Sequence, residues 1–238
     1  MSYDKPFTKE NLDYYMRELA KDFRKRNGKL TPAEIVIVGG ASILINYGFR
    51  EMTYDMDAVI RASSAMKESI NYVGDQFGLP NGWLNTDFIN TKSFSPKLIQ
   101  YSKPYRTYSN VLNIRTISGE YLVAMKLVSG RQFKNDLSDI IGILHAHHAA
   151  GHPISQNQID KAVNDLYGSW TDILPETKTF LNAVMNAPDL EKLYKQYLAE
   201  EIDNRDVLIE IQKKNPKMVN KDNIDEVLKA AKQKKRNP

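Results

Sequence analysis

Apolar residues recur along this chain at two spacings, and the switches between them predict its elements. From Thr8 to Arg26, Leu12, Tyr15, Leu19 and Phe23 fall at helical intervals, with Thr8 as the candidate N-cap and Asn27-Gly28 as the stop. Ile35 to Val38 is an unbroken β-branched run, the pattern of a strand buried on both faces. Gly39-Gly40 ends it where the backbone must turn tightly, and Ala41 to Tyr47 returns to helical spacing through Ile43, Leu44 and Tyr47. A second strand carries Asp55 and Asp57 and continues into Ala58-Val59-Ile60. Ser63-Ser64 caps a helix from about Ala65 to Gln76, which Gly78 to Gly82 breaks.

Trp83 to Pro104, rich in Asn, Ser, Thr and Lys, reads as a long loop with short pieces of structure. Val111 to Ile117 alternates as a half-buried strand does. Gly119-Glu120 then opens a helix over Tyr121 to Gly130, with Leu122, Met125 and Val128 on its core side and Lys126 expected to reach outward from that stripe. Asn135 to Asp139 begins a further apolar helix, Ile140 to His145, with acidic residues in its first turn. A core domain should end near Gly151-His152-Pro153. Beyond it Ser155 to Leu166, Pro175 to Met185, Leu190 to Gln212 and Asp222 to Lys232 are helical in pattern. The expected class is α/β (α+β) with a C-terminal helical appendage over 151–238.

Composition narrows this picture. The 238 residues are 42% hydrophobic and 26% charged, enough for one sizeable core and a smaller unit. Without cysteine there is no disulfide framework or thiolate metal site, which fits a reducing compartment, with cytoplasm as the expected location. The N-terminus is too charged for a signal peptide and no apolar run is long enough to span a bilayer, so a soluble protein is expected. Net charge is +4 and the isoelectric point about 9.0, part of the excess sitting in the Lys232–Arg236 tail.

The candidate chemistry centres on Ile35 to Ala62. Glycines at the start of a helix let backbone approach phosphate, and the first amides of that helix favour an anion. Two carboxylates on one face of a strand repel, and a divalent cation relieves them, so Asp55 and Asp57 read as metal ligands. A plain strand-to-helix turn and edge-strand carboxylates are the competing explanation. Arg50 and Thr53 precede the aspartates and could support them or touch substrate. His145, His147, His148 and His152 lie near a helix end, where the dipole rather than a metal explains them. Tyr101, Tyr105 and Tyr108 beside Lys103 and Arg106 suggest a subordinate stacking surface for single-stranded RNA, whereas Trp83 and Trp170 fit core and rim packing.

Gly39-Gly40 with its short helix, Asp55-x-Asp57 on the next strand, and Leu122 to Asp139, LVAMKLVSGRQFKNDLSD, resemble the nucleotidyltransferase superfamily typified by DNA polymerase beta. More narrowly, they resemble AbiEii-type bacterial toxins and related nucleotidyltransferase-like proteins. The resemblance implies a small mixed β-sheet flanked by helices over about 1–150. It implies that Gly39, Gly40 and Ser42 bind nucleotide, that Asp55 and Asp57 hold Mg²⁺, that Lys126 contacts the triphosphate, and that Asp136 or Asp139 acts near that lysine. Arg131 is a further phosphate candidate. The implied activity is transfer of a nucleoside monophosphate from a nucleoside triphosphate to a hydroxyl on RNA (tRNA among the candidates) or protein, in a toxin–antitoxin or phage-defence pair with an antitoxin partner and no membrane. Active members of the superfamily usually carry a third carboxylate on a later strand. Here VLNIRTI offers Asn113. Either Asp87, Asp136 or Asp139 substitutes, or the chain is a catalytically impaired nucleotide- or partner-binding protein on the same fold.

Overall fold

Among the described residues five strands, β1 (Ala33–Ile37), β2 (Met56–Arg61), β3 (Leu84–Asn85), β4 (Ser102–Tyr108) and β5 (Leu112–Ile117), form one sheet in the order β3-β2-β1-β5-β4. The computed structural model describes residues 6–131, 134–215, 218 and 223–236. β2 runs antiparallel to β1, with Ile35 opposite Ile60 and Ile37 opposite Ala58. On the other side β5 runs parallel to β1, with Ile35 level with Ile114. β3 pairs parallel with β2, and β4 antiparallel with β5. The sheet is therefore mixed, and central β1 is buried along most of its length, as its unbroken β-branched run requires.

Alternation along the strands sorts the two faces. Ala33, Ile35 and Ile37 share one face with Ala58, Ile60, Leu112 and Ile114. That face meets α1 (Lys9–Asn27) and α3 (Ala65–Phe77), whose Leu12, Met16, Leu19, Phe23, Met66 and Val73 complete a continuous core. The opposite face carries Glu34, Val36, Asp57, Val59, Asn113 and Arg115, most of them only half-buried. α1 begins where Thr8 and Asn11 make a reciprocal capping box, and it ends at Gly28, whose φ of 78° only glycine adopts readily.

The segment expected to be a long loop contains more structure than its composition indicates. β3 and two 3-10 turns, Asp87–Asn90 and Pro96–Tyr101, lie within it, and β4 starts at Ser102. β4 escapes a search for alternation because it is an edge strand. Only its end residues Ser102 and Tyr108 are buried, and Pro104 sits beside a break in register.

The remaining helices are α2 (Gly39–Asn46), α4 (Gly119–Ser129), α5 (Asp136–Ala149), α6 (Gln156–Tyr167), α7 (Pro175–Met185), α8 (Leu190–Lys214) and α9 (Ile224–Arg236). Asp222, the expected start of the last helix, lies outside the described residues, as do the side chains of residues 233–236 at the basic end. By contact the chain divides into two compact units, one of Met1–Met125 with Ala146–Trp170, the other of Lys126–His145 with Thr171–Pro238. α6 belongs to the first unit, where the Ser95 hydroxyl donates to Leu166 O at 2.7 Å. Among the described residues no helix is long and apolar enough to cross a membrane.

Ile35 is fully buried at the centre of the sheet. Ile35→Ala should cost about 2–5 kcal/mol of folding stability, measured by urea denaturation, because the sheet cannot collapse around the lost atoms.

Candidate functional site

The first group of site residues is built where β1 meets α2. The amide of Val38 donates to Asp57 O at 2.9 Å, bringing the end of β1 level with the start of β2. Gly39 follows at φ +58°, a left-handed conformation that turns the chain into α2. Val38 is the N-cap, and its side chain has no acceptor, so it caps none of the first-turn amides. Such amides, with the helix dipole behind them, favour an anion.

Around this turn the side chains are close. A Cβ on Gly39 would lie 3.7 Å from Asp57 Oδ2, so the carboxylate stands beside the glycine turn. A Cβ on Gly40 would lie 2.8 Å from a guanidinium nitrogen of Arg50 and 3.0 Å from Thr53 Oγ1. Gly40 therefore makes room for the protein's own arginine and threonine, a role its sequence pattern does not distinguish from clearance for a ligand. Two backbone bonds tie Thr53 to Phe7, just ahead of α1, in an isolated antiparallel bridge: Phe7 N to Thr53 O at 2.6 Å and Thr53 N to Phe7 O at 2.9 Å. Arg50 Nε donates to Met52 O at 3.2 Å.

Asp57 is a half-buried residue of β2 on the sheet face away from α1 and α3, whereas Asp55 is exposed and lies just before the strand begins. Asn113 does not stand beside them. It is level with Glu34 on β1, four residues before Val38, and so roughly 13 Å down the sheet. Its Oδ1 accepts from Thr107 Oγ1 at 2.8 Å. On that face β5 instead offers Arg115, level with Val36, and Ile117. Arg115 Nε donates to Ser102 Oγ at 2.6 Å and stands 3.8 Å from Glu34 Oε2. The expectation that Asn113 holds the third-carboxylate position is thus corrected, because strand direction puts it at the wrong end. Asp87 runs the wrong way too. It opens the 3-10 turn two residues past Asn85, the β3 partner of Asp57, and it lines a cleft of about 780 Å³ beside α3 with Lys67, Asn71 and Trp83.

Ser42 is fully buried and bonded. Its hydroxyl lies 2.5 Å from Thr116 Oγ1 and accepts from Ile117 N at 3.2 Å, which ties α2 to β5. Asn46 Nδ2 adds donors to Thr116 Oγ1 and Ile117 O at 3.1 and 2.7 Å. Ser42 is implied by the resemblance as a nucleotide-binding residue; its side chain is engaged at the junction of α2 and β5.

The second group lies in the other unit. Lys126 does not reach outward: it is buried, with Nζ 2.6 Å from Asp136 Oδ1 and 2.8 Å from Asp139 Oδ2. Arg131 Nε donates to Asp136 Oδ2 at 2.8 Å, and Arg131 N to the same oxygen at 3.2 Å. Burial pushes the Asp136 carboxyl up, but the charges of Lys126 and then Arg131 outweigh it and hold the group well below the usual carboxylate range. The structure thus joins Lys126, Arg131, Asp136 and Asp139 into one ion cluster, and Gly39, Gly40 and Asp57, with Arg50 and Thr53, into another group.

The remaining candidates have local partners. Tyr47 Oη is 3.0 Å from His147 Nε2, and the rings of His147 and His152 are 5.1 Å apart. Among the described residues no group of three or more His, Cys, Asp or Glu is arranged to hold a metal ion. Tyr105, Arg106 and Tyr108 all bond Asp13, which neutralises much of that surface for a polyanion. Trp83 is buried, its Nε1 donating to Ile70 O at 3.0 Å.

Comparison with known families matches residues 12–150 to a family described as nucleotidyltransferase of unknown function (DUF6036). No curated protein and no solved structure matches significantly.

Asp136→Asn should destabilise the chain by about 3 kcal/mol at pH 7, since it leaves Lys126 and Arg131 short of a charge in a buried cluster. The depressed carboxyl stabilises the wild type above its ordinary value of 3.8, and that contribution is lost as pH falls through the lower folded value. Wild-type stability should fall steeply on acidification below pH 3.8 and that of the variant less so, by thermal melts across pH. Gly39→Ala should cost about 1–2 kcal/mol through its left-handed backbone, by urea denaturation.

Proposed function

Because the chain belongs to the family described as nucleotidyltransferases of unknown function, we propose that it is a Mg²⁺-dependent enzyme. In this reading it moves a nucleoside monophosphate from a nucleoside triphosphate to a hydroxyl on RNA, tRNA among the candidates, or on protein. The observation that carries this reading is the placement of the Asp57 carboxylate beside the Gly39 turn, at the start of α2, with the Arg50 guanidinium against the next residue, Gly40. An anion and its counter-cation would be served by adjacent groups. The residues fit Mg²⁺, which commonly takes one or two carboxylates and completes its shell with substrate oxygens and water. Asp55 and Asp57 would hold it, and when bound it supplies charge neutralisation at the transferring phosphorus. The chain's own part is to seat the triphosphate on the Gly39-Gly40 amides, with Arg50 as a guanidinium donor matched to phosphate oxygens. By resemblance alone, Lys126, Arg131, Asp136 and Asp139 serve the same reaction, and an AbiEii-like toxin with an antitoxin partner is the biological setting we attach to it.

A second reading is a nucleotide-binding protein with impaired turnover on the same fold. It is favoured by β5, which offers Arg115 and Ile117 rather than a carboxylate on the face of Asp57.

Incubation with each labelled nucleoside triphosphate, Mg²⁺ and total cellular RNA or protein should transfer label. Asp57→Asn should reduce transfer by roughly two orders of magnitude or more while leaving the fold intact by circular dichroism. Folded wild type that transfers no label to either acceptor would rule out the enzyme. Calorimetric nucleotide binding by that same protein would then establish the second reading.

A further inference from the structure

The first turn of α5 carries Asp136 and Asp139, and its amides face a carboxylate from far along the chain. A helix leaves its first N–H groups without partners inside the helix, and the residue before it ordinarily supplies a side-chain acceptor from an extended backbone. Asn135 precedes α5 with a φ of 53°, outside that extended geometry. Glu201 of α8 takes over the task. Leu137 N donates to Glu201 Oε1 at 2.9 Å and Ser138 N to Glu201 Oε2 at 3.3 Å, and the side chain is buried. The two bonded amides belong to residues between Asp136 and Asp139, the two carboxylates on Lys126.

We infer that Glu201 is the positioning residue of the Lys126–Asp136–Asp139 cluster, clasping the first turn of α5 so that both aspartates meet one lysine. This rests on the proposed function only for its consequence in catalysis; the clasp itself is read without activity. The region beyond the family match is thereby part of the working structure, since Glu201 lies past residue 150 and its compact unit also holds Lys126–His145. A negative charge at a helix start is favoured by the dipole, which suits a carboxylate over a neutral cap.

Charged and titratable groups surround the clasp: Asp136 and Asp139 on α5, Lys126 on α4, Arg131 between them, Glu176 on α7, Tyr197 and Glu200 on α8, and Lys232 on α9. Burial, with a smaller push from Asp139, raises the Glu201 carboxyl to about 7 against the lowering effect of the Ser138 and Leu137 bonds.

The test uses the full chain with Glu201→Ala and Glu201→Gln. Amide hydrogen exchange at Leu137 and Ser138 should accelerate roughly 10- to 100-fold in the alanine variant, the equivalent of losing hydrogen bonds to a charged group, while α1 is unchanged. Lys126 should acylate several-fold faster with an amine reagent. Glutamine, which keeps one acceptor oxygen, should fall between wild type and alanine. In wild type the Leu137 and Ser138 amide resonances should titrate together with a midpoint near 7, and in Glu201→Gln they should not. Unchanged exchange and Lys126 reactivity in Glu201→Gln and Glu201→Ala would overturn the clasp, as would a uniform increase across both units. If alanine prevents folding, the glutamine exchange and titration decide alone. If wild type proves to have no transferase activity, the proposed reaction fails, while the exchange and labelling results still judge the clasp.

Discussion

The bond from Val38 N to Asp57 O sets how the end of β1 meets the start of β2, and the first candidate site follows from it. Because the two strands are antiparallel, this register puts a helix start and a carboxylate at the same end of the sheet. A slip of one residue would exchange the faces of β2. Asp57 would then enter the apolar side that packs on α1 and α3, where an unpaired charge is costly, and Met56 and Ala58 would leave it. The apolar alternation of β2 thus fixes the position of its acid, and the core is what holds the chemistry in place.

The second group is held by a different constraint. Lys126 and Arg131 bring two positive charges and Asp136 and Asp139 two negative ones, so the cluster is formally neutral. Desolvating four charged groups is expensive, and such clusters commonly add little net stability compared with apolar packing. What the cluster does provide is orientation: each carboxylate has one arrangement that satisfies the lysine, so the end of α4 and the start of α5 are specified relative to each other.

The sequence exposes the elements whose burial is one-sided or complete. α1, β1, α3, β5 and α4 all carry a periodic or unbroken apolar signal, and their boundaries lie within about two residues of the expected ones, although Ser64 caps α3 with no side-chain hydrogen bond. β4 gives no such signal, since an edge strand has little apolar area to alternate. Among the candidate residues, the glycine turn and Asp57 stand out because their types are unusual in an apolar run, whereas Asp55, expected on the same strand, lies just before it and is exposed. The burial of Lys126 is not, because its compensation by Asp136 and Asp139 comes from the next helix rather than its own stripe. Asn113 misleads for a related reason: period 2 gives its face correctly, but position along a strand depends on pairing register, which no local pattern encodes. Glu201 is invisible for the same cause at longer range, being 64 residues from the amide it caps.

The two borders of the sheet have a consequence for association. β3 offers only two residues of strand, and β4 presents Lys103, Pro104 and Arg106 with a register break beside the proline. Shortness at one border, and charge, proline and a register break at the other, disfavour continuation of the hydrogen-bonded ladder by a second chain. Adding a strand is thereby disfavoured at both borders, which leaves side chains and helix faces as the chemistry this surface presents.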